Sequence, residues 1–337
     1  MNIFKDGLLV DANVCYWSGA KILTAEDLGL KEENVAEAYK LGRKMLIPAT
    51  VIRQFRALEG RARNVIKTNS YKFPIGNARF IPKKKFIKIH ETLKSLQAKY
   101  MAKVDELITN YDQYRAEMIP IYTQAAEIAF LTQEPSQTEF SIEGREIQRA
   151  AFIEQFLARI SAHYPDAESL RSKFSLDWDM YEIALPKMRK ESAENIIDKE
   201  DKRAIAEQEY RIQAQQKIGV FIEDVVGTLR QKTMDLCNRI STNIKEGKVV
   251  KSKTLNSLKD FIDNFSEMNF VGDSKIEEEL ATLKKEFLDT HSTEAVVDEA
   301  DLQEELRQRL ESITKVAGDI SDINSITGEY RRKISWE

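Results

Sequence analysis

Cysteine is nearly missing from this 337-residue chain, which has only Cys15 and Cys237. Two thiols so far apart form neither a disulfide framework nor a four-thiolate zinc site, and both are expected to be reduced and buried. Glycine (13) and proline (7) are scarce as well, which disfavours an all-β fold built on tight turns. The three histidines, His90, His163 and His291, are widely separated. The Glu-x-x-His pairs that bridge metals inside helical bundles do not occur. No G-x-x-x-x-G-K-[ST], G-x-G-x-x-G, H-E-x-x-H or G-x-S-x-G is present, so the phosphate loops, zinc helices and nucleophile elbows they encode are not available. The sequence therefore predicts no catalytic residue, no cofactor and no metal, and a protein that is not an enzyme. No apolar run nears the roughly 18 residues that span a bilayer. The opening stretch, Met1 to Asp6, lacks a basic segment followed by an apolar one, so no signal peptide is expected and the chain reads as cytoplasmic.

What the chain does have is charged, helix-forming sequence. Apolar residues make up 42% and charged residues 31%, enough for a sizeable core and, by the length prior, about two domains. The stretch from Phe86 to Met118 contains no Gly or Pro. Its apolar residues are Phe86, Ile89, Leu93, Leu96, Tyr100, Val104, Leu107, Tyr111, Tyr114 and Met118. They advance by three or four, which lays one stripe along a helix about 50 Å long. Burying ten such side chains gains roughly 15–30 kcal/mol gross, against a large ordering entropy, so other helices are expected to cover the stripe. Phe86, Leu93, Tyr100, Leu107 and Tyr114 keep a seven-residue step, while the companion row slips by one between Leu96 and Val104. That slip relaxes a left-handed supercoil and points to a nearly straight helix in a bundle.

The resulting fold class is mainly α, an elongated helical bundle with a long charged helical arm. Four segments follow: a small basic α+β head (1–85), a helical bundle core (86–186), the arm (187–247) and a C-terminal helical segment (248–337). In the head, Leu8–Trp17 reads as a strand, Thr24–Asp27 as a capped turn and Glu32–Leu41 as a short helix. Pro48 suits the first position of a helix to about Lys67. Tyr71–Pro82 reads as a β-hairpin turned at Gly76-Asn77, with Pro74 and Pro82 keeping both strands at sheet edges. Pro120 is expected to end or kink the long helix. Ile142–Tyr164 reads as a helix burying Ile147, Ala151, Ile153, Phe156, Leu157 and Ile160. Asp166–Pro186 reads as another, burying Leu170, Phe174, Trp178, Tyr181 and Leu185. Between Lys187 and Lys217, 15 of 31 residues are charged, which predicts a solvated helix that turns amphipathic from Phe221 to Ile244. Ser274–Glu277 reads as a capping box, Asp289–Ala300 as an acidic loop and Asp301–Ile320 as the last helix.

Several short motifs carry a family likeness. They are Tyr16-Trp17-Ser18-Gly19, Glu26-Asp27-Leu28-Gly29-Leu30, Leu41-Gly42, and Phe73-Pro74-Ile75-Gly76 to Phe80-Ile81-Pro82 ahead of a long helix. Over roughly residues 5–190 the chain resembles a bacterial and phage family catalogued as domain of unknown function 3150. That family has no established catalytic or binding residues to transfer. Its members tend to be encoded beside a MoxR-type AAA+ ATPase and a von Willebrand factor A protein. The resemblance thus implies an accessory subunit of such a motor system, by association alone.

Charge supplies the remaining signal. The chain totals −4, yet Arg43 to Lys88 holds 13 lysines and arginines against one acid, Glu59. That segment is therefore +12, and the rest of the chain carries −16. Arg53, Arg56, Arg63 and Lys67 fall on one helical face, and Lys83, Lys84, Lys85 and Lys88 begin the long helix. These eight residues form the candidate site for an anionic partner. The occupant could be an acidic protein surface, the chain's own acidic part or a second copy in a homo-oligomer. A nucleic acid, held non-specifically and salt-dependently, is the alternative. A membrane fits poorly, because large aromatic residues are not concentrated opposite these cations. The sequence thus predicts a non-enzymatic scaffold or adaptor that assembles with partner proteins, with nucleic-acid binding as the second reading.

Overall fold

The computed structural model describes residues 3–31, 40–132, 142–183 and 199–333. Most of the helix expected at Glu32–Leu41, and residues 187–198 of the expected arm, lie outside the described residues. In chain order the elements are β1 (Gly7–Cys15), β2 (Ala20–Ile22), a 3-10 turn (Glu26–Leu28), β3 (Arg43–Met45), α1 (Ala49–Thr68), β4 (Tyr71–Lys72) and β5 (Arg79–Pro82). Then come α2 (Phe86–Thr109), α3 (Tyr111–Thr132), α4 (Ile142–Ser161), α5 (Ala167–Leu170) and β6 (Ser175–Tyr181). The last part comprises α6 (Lys199–Lys245), α7 (Ser252–Met268), α8 (Ser274–Thr282), α9 (Thr293–Asp298), α10 (Ala300–Ala317) and α11 (Ile320–Lys333). The chain is mainly helical, with a four-stranded sheet ordered β4-β5-β1-β6 and a two-stranded pair of β2 and β3. It forms two compact units.

The first unit comprises the chain up to Asp11, Val65–Glu91, and Asp179 onward. Its spine is the middle of α6, where Ile218, Phe221, Ile222, Val225, Val226 and Leu229 are all buried. Their three- and four-residue steps turn one face inward, as amphipathicity requires. Helices α10 and α11 lie against this face. The hairpin turns at Gly76 (φ 70°) as expected, and its Phe73 and Phe80 rings meet Phe221 at 5.3 and 5.7 Å. One expectation fails here, because β5 is interior, antiparallel to both β4 and β1. Pro82 is tolerated because it is the last residue of β5, opposite Gly7. The ladder resumes at Lys83, whose N–H donates to the Asp6 carbonyl at 2.8 Å.

Further along, the cap of α8 is Asp273 and not Ser274. Its carboxylate accepts the Ile276 N–H, while Glu277 accepts from the Asn269 side-chain amide at 2.6 Å. The expected acidic loop contains a helix, α9, which buries Val296. The Ser292 hydroxyl caps it, accepting the Ala295 N–H at 3.1 Å. Losing a cap of this kind costs about 1 kcal/mol, so Ser292→Ala should speed amide exchange in α9 about fivefold. Unchanged exchange would mean that Val296 alone holds the helix. The last expected helix divides at Gly318, and α11 carries the chain on to Lys333. There the Tyr330 hydroxyl donates to Asp6 at 2.6 Å.

The second unit comprises Ala12–Asn64 and Thr92–Trp178. The apolar ridge is helical and hidden, with Leu93, Tyr100, Val104, Leu107 and Tyr111 at most 2% exposed. Its cover is not helices alone. Tyr100 donates to the Cys15 carbonyl at 2.6 Å and Gln97 to the Leu176 carbonyl at 2.8 Å, both on strands. The Phe55 ring of α1 stands 5.3 Å from Tyr100.

The ridge is also not one uninterrupted helix. It breaks at Asn110, where Thr109 and Asn110 donate side-chain hydrogen bonds to the carbonyls four residues back, both at 2.9 Å. Such back-bonding competes with the helical ladder. Pro120, by contrast, sits inside α3 without ending it. It and Ala116 are exposed, so the carbonyl that loses its donor can meet water.

Up to residue 183 the helix expected over 166–186 is replaced by short helical turns and β6, and Leu185 lies outside the described residues. Leu176, Trp178 and Met180 turn inward while Asp177, Asp179 and Tyr181 are exposed, a strand period of two. In α4, Phe156 and Ile160 are buried as expected, but Ile147 and Ala151 are exposed. The 3-10 turn seats directly on α3: a Cβ added at Gly29 would lie 2.2 Å from the Ala129 carbonyl oxygen.

Candidate anion-binding face

Helix α1 is amphipathic because Ile52, Phe55, Leu58, Ala62 and Ile66 turn inward at three- and four-residue steps. That leaves Arg53, Arg56, Arg63 and Lys67 exposed on the opposite side, within an arc of about 80° and along about 21 Å. Gly60 lies in the same strip, and nothing stands within 4 Å of where its Cβ would be. Arg63 pairs with Glu59 at 2.9 Å but keeps its side chain 55% exposed. No acid among the described residues pairs with Arg53, Arg56 or Lys67. Arg61 is also exposed on the flank of this strip. The sequence reading omitted it because it falls outside the four-residue periodicity, although its place two residues before Arg63 would have suggested it.

The four lysines expected to complete the site behave differently. Lys85 is only 2% exposed and is ion-paired with Glu267 of α7. Lys84 donates to the Ser266 carbonyl at 3.1 Å. Lys83 and Lys88 are exposed, but Lys88 borders a cleft of about 620 Å³ with Asp260, Asp263 and Glu267 on its wall. In that cleft Asp263 already pairs with Lys284. Lys84 and Lys85 are therefore engaged by α7 of the same chain. Of the other cations in the basic segment, Lys44 is buried against Asp27. Arg79 is held by Ser70 and by the Lys67 carbonyl. Of the eight candidate residues, Arg53, Arg56, Arg63 and Lys67 stand together as one exposed cationic strip on α1.

Among the described residues no group of three or more His, Cys, Asp or Glu could hold a metal ion. No helix among them is long and apolar enough to cross a membrane. Cys237 is buried, and burial pushes its thiol up to about 12, which removes it as a nucleophile at neutral pH. Cys15 is exposed, against expectation. The buried tyrosines of the ridge serve as hydrogen-bond donors to backbone carbonyls. Burial pushes Tyr111 up to about 12, with Arg115 pulling the other way.

No curated protein and no solved structure matches the chain. The family model described as "Protein of unknown function (DUF3150)" matches residues 5–310, well beyond the reach of the short motifs, and the chain belongs to that family.

Proposed function

We propose that this protein is a non-enzymatic scaffold or adaptor that assembles with partners, one of them anionic and docked on the outward face of α1. The observation that carries this reading is the exposed Arg53, Arg56, Arg63 and Lys67 strip. Like charges three or four residues apart on a helix destabilise it by about 0.2–0.5 kcal/mol per pair. Arg53 with Arg56, and Arg63 with Lys67, stand at those spacings, and none of the four reaches the core. An external anion would turn this repulsion into attraction. Family membership adds the expectation that the partners include a MoxR-type AAA+ ATPase and a von Willebrand factor A protein. For these, the exposed N-terminal part of α6, with Ile205, Tyr210 and Ile212 turned outward, offers a charged helical arm. A homo-oligomer is compatible with the same surfaces.

Two experiments test the reading. Reversing Arg53, Arg56 and Arg63 to Glu should lower the salt needed to elute the chain from heparin much more than reversing Lys94, Lys99 and Lys232, three exposed lysines elsewhere. Equal shifts would show that net charge, not the α1 face, is responsible. The purified chain should also co-elute with the purified ATPase or von Willebrand factor A protein of the same genome at low salt. Failure with both removes the adaptor half of the proposal.

A further inference from the structure

Resting on the docking reading above, we infer that the anion held on α1 is the phosphate backbone of double-stranded DNA. Protein–protein interfaces draw most of their energy from aromatic and arginine anchors seated in well-packed, desolvated apolar surroundings. The outward side of α1 has no such surroundings. Apart from its cations it exposes only small or polar residues, among them Gln54, Ala57, Gly60 and Asn64, with no aromatic, leucine, isoleucine or valine. An acidic protein would find charge there and nothing to pack against, whereas a phosphate backbone needs only charge and hydrogen-bond donors. Arginine outnumbers lysine on the strip, and its rigid fork of donors matches phosphate oxygens.

The same bareness separates duplex from single strand. Proteins that hold single-stranded nucleic acid stack its bases on exposed aromatic rings, and this face has none. The form of the duplex follows from shape. Gly60 leaves bare helix backbone in the middle of the strip, flanked by Arg56 and Arg63. A ridge of that kind can approach the wide major groove of B-form DNA with its arginines on the bordering phosphates. The deep, narrow major groove of A-form RNA does not admit it.

Recognition through four cations would be independent of sequence and steeply dependent on salt. With about four phosphates neutralised, the slope of log affinity against log salt should be about −3.6, so binding weakens about 100-fold between 50 and 200 mM salt. The test is fluorescence anisotropy of the full chain with a labelled duplex DNA, the same sequence as a single strand, a duplex RNA and polyglutamate. The expected result is tightest binding to duplex DNA. Binding should be lost in the Arg53, Arg56 and Arg63 triple reversal and kept in the Lys94, Lys99 and Lys232 reversal. Gly60→Leu, which favours the helix but covers the bare backbone, should weaken duplex binding severalfold while leaving the fold intact. Polyglutamate, single strand or duplex RNA binding as tightly as duplex DNA would overturn the inference and leave anionic docking on α1 standing. If neither heparin nor any of the four ligands binds, both fall together.

Discussion

Arg230→Met should cost the first unit about 3–5 kcal/mol, the penalty for leaving one member of a buried ion pair without its partner. Arg230 is 1% exposed and Asp273 fully buried. The guanidinium spans the carboxylate, with Nε at 2.6 Å from one oxygen and Nη2 at 3.0 Å from the other. Its remaining nitrogen donates to the carbonyls of Val316 and Asp319, at 3.2 and 3.1 Å. One side chain on α6 thus ties down the turn before α8 and the turn between α10 and α11. Asp273 is committed in turn, its carboxylate capping α8 while its own N–H donates to the Asn269 side-chain oxygen at 2.9 Å. In Arg230→Met the buried carboxylate and two part-buried carbonyls lose their donor, and the cap is left carrying an uncompensated charge. Arg230→Lys should fall between the two, since one ammonium cannot serve a forked carboxylate and two carbonyls at once. Urea denaturation followed by circular dichroism, with amide exchange in α6, α8 and α10, gives the measurement. A methionine variant within about 1 kcal/mol of the parent would show that water or rearrangement satisfies the node.

The elements that a sequence could disclose were those whose side chains repeat with a single period. Helix α1, the hairpin at Gly76 and the buried face of α6 have apolar spacing that admits only one reading. β6 does not. Leu170, Phe174 and Trp178 step by four while Leu176, Trp178 and Met180 step by two, and only the tertiary setting, with Gln97 donating to the Leu176 carbonyl, selects the strand. The ridge from Phe86 was legible as buried helix, but the break at Asn110 depends on side-chain-to-backbone bonds that no periodicity encodes. The arginines of α1 were legible as a face for the same reason as its core. The engagement of Lys84 and Lys85 by α7 was not, because Lys84 meets a partner 182 residues away and nothing local announces it.

A comparable penalty, and one that depends on pH, is expected in the second unit at Lys44. Its ammonium contacts both oxygens of Asp27, at 2.8 and 2.6 Å, with both side chains 6% exposed. The same carboxylate accepts the backbone N–H and hydroxyl of Thr24, at 2.8 and 2.9 Å. The pair thereby fastens the 3-10 turn to β3. Burial by itself would raise the Asp27 carboxyl, but Lys44 and the two Thr24 bonds outweigh it and hold the group below its ordinary 3.8. A carboxyl lowered on folding adds stability that is complete above the unfolded value and disappears as pH falls through the folded one. The parent should therefore hold its stability down to about pH 4–5 and lose it in more acid solution. Lys44→Met removes the main lowering influence and leaves burial dominant, so the folded carboxyl rises and binds a proton more readily than the unfolded chain does. At pH 7 the variant keeps a buried, unpaired carboxylate, at a cost of about 3–5 kcal/mol. As pH falls through its raised value the group becomes neutral and the cost shrinks. The stability curves of parent and variant should converge toward pH 4, as read by urea denaturation through intrinsic fluorescence. Parallel curves would mean that Asp27 stays charged without Lys44, and that Thr24 alone accounts for its stabilisation.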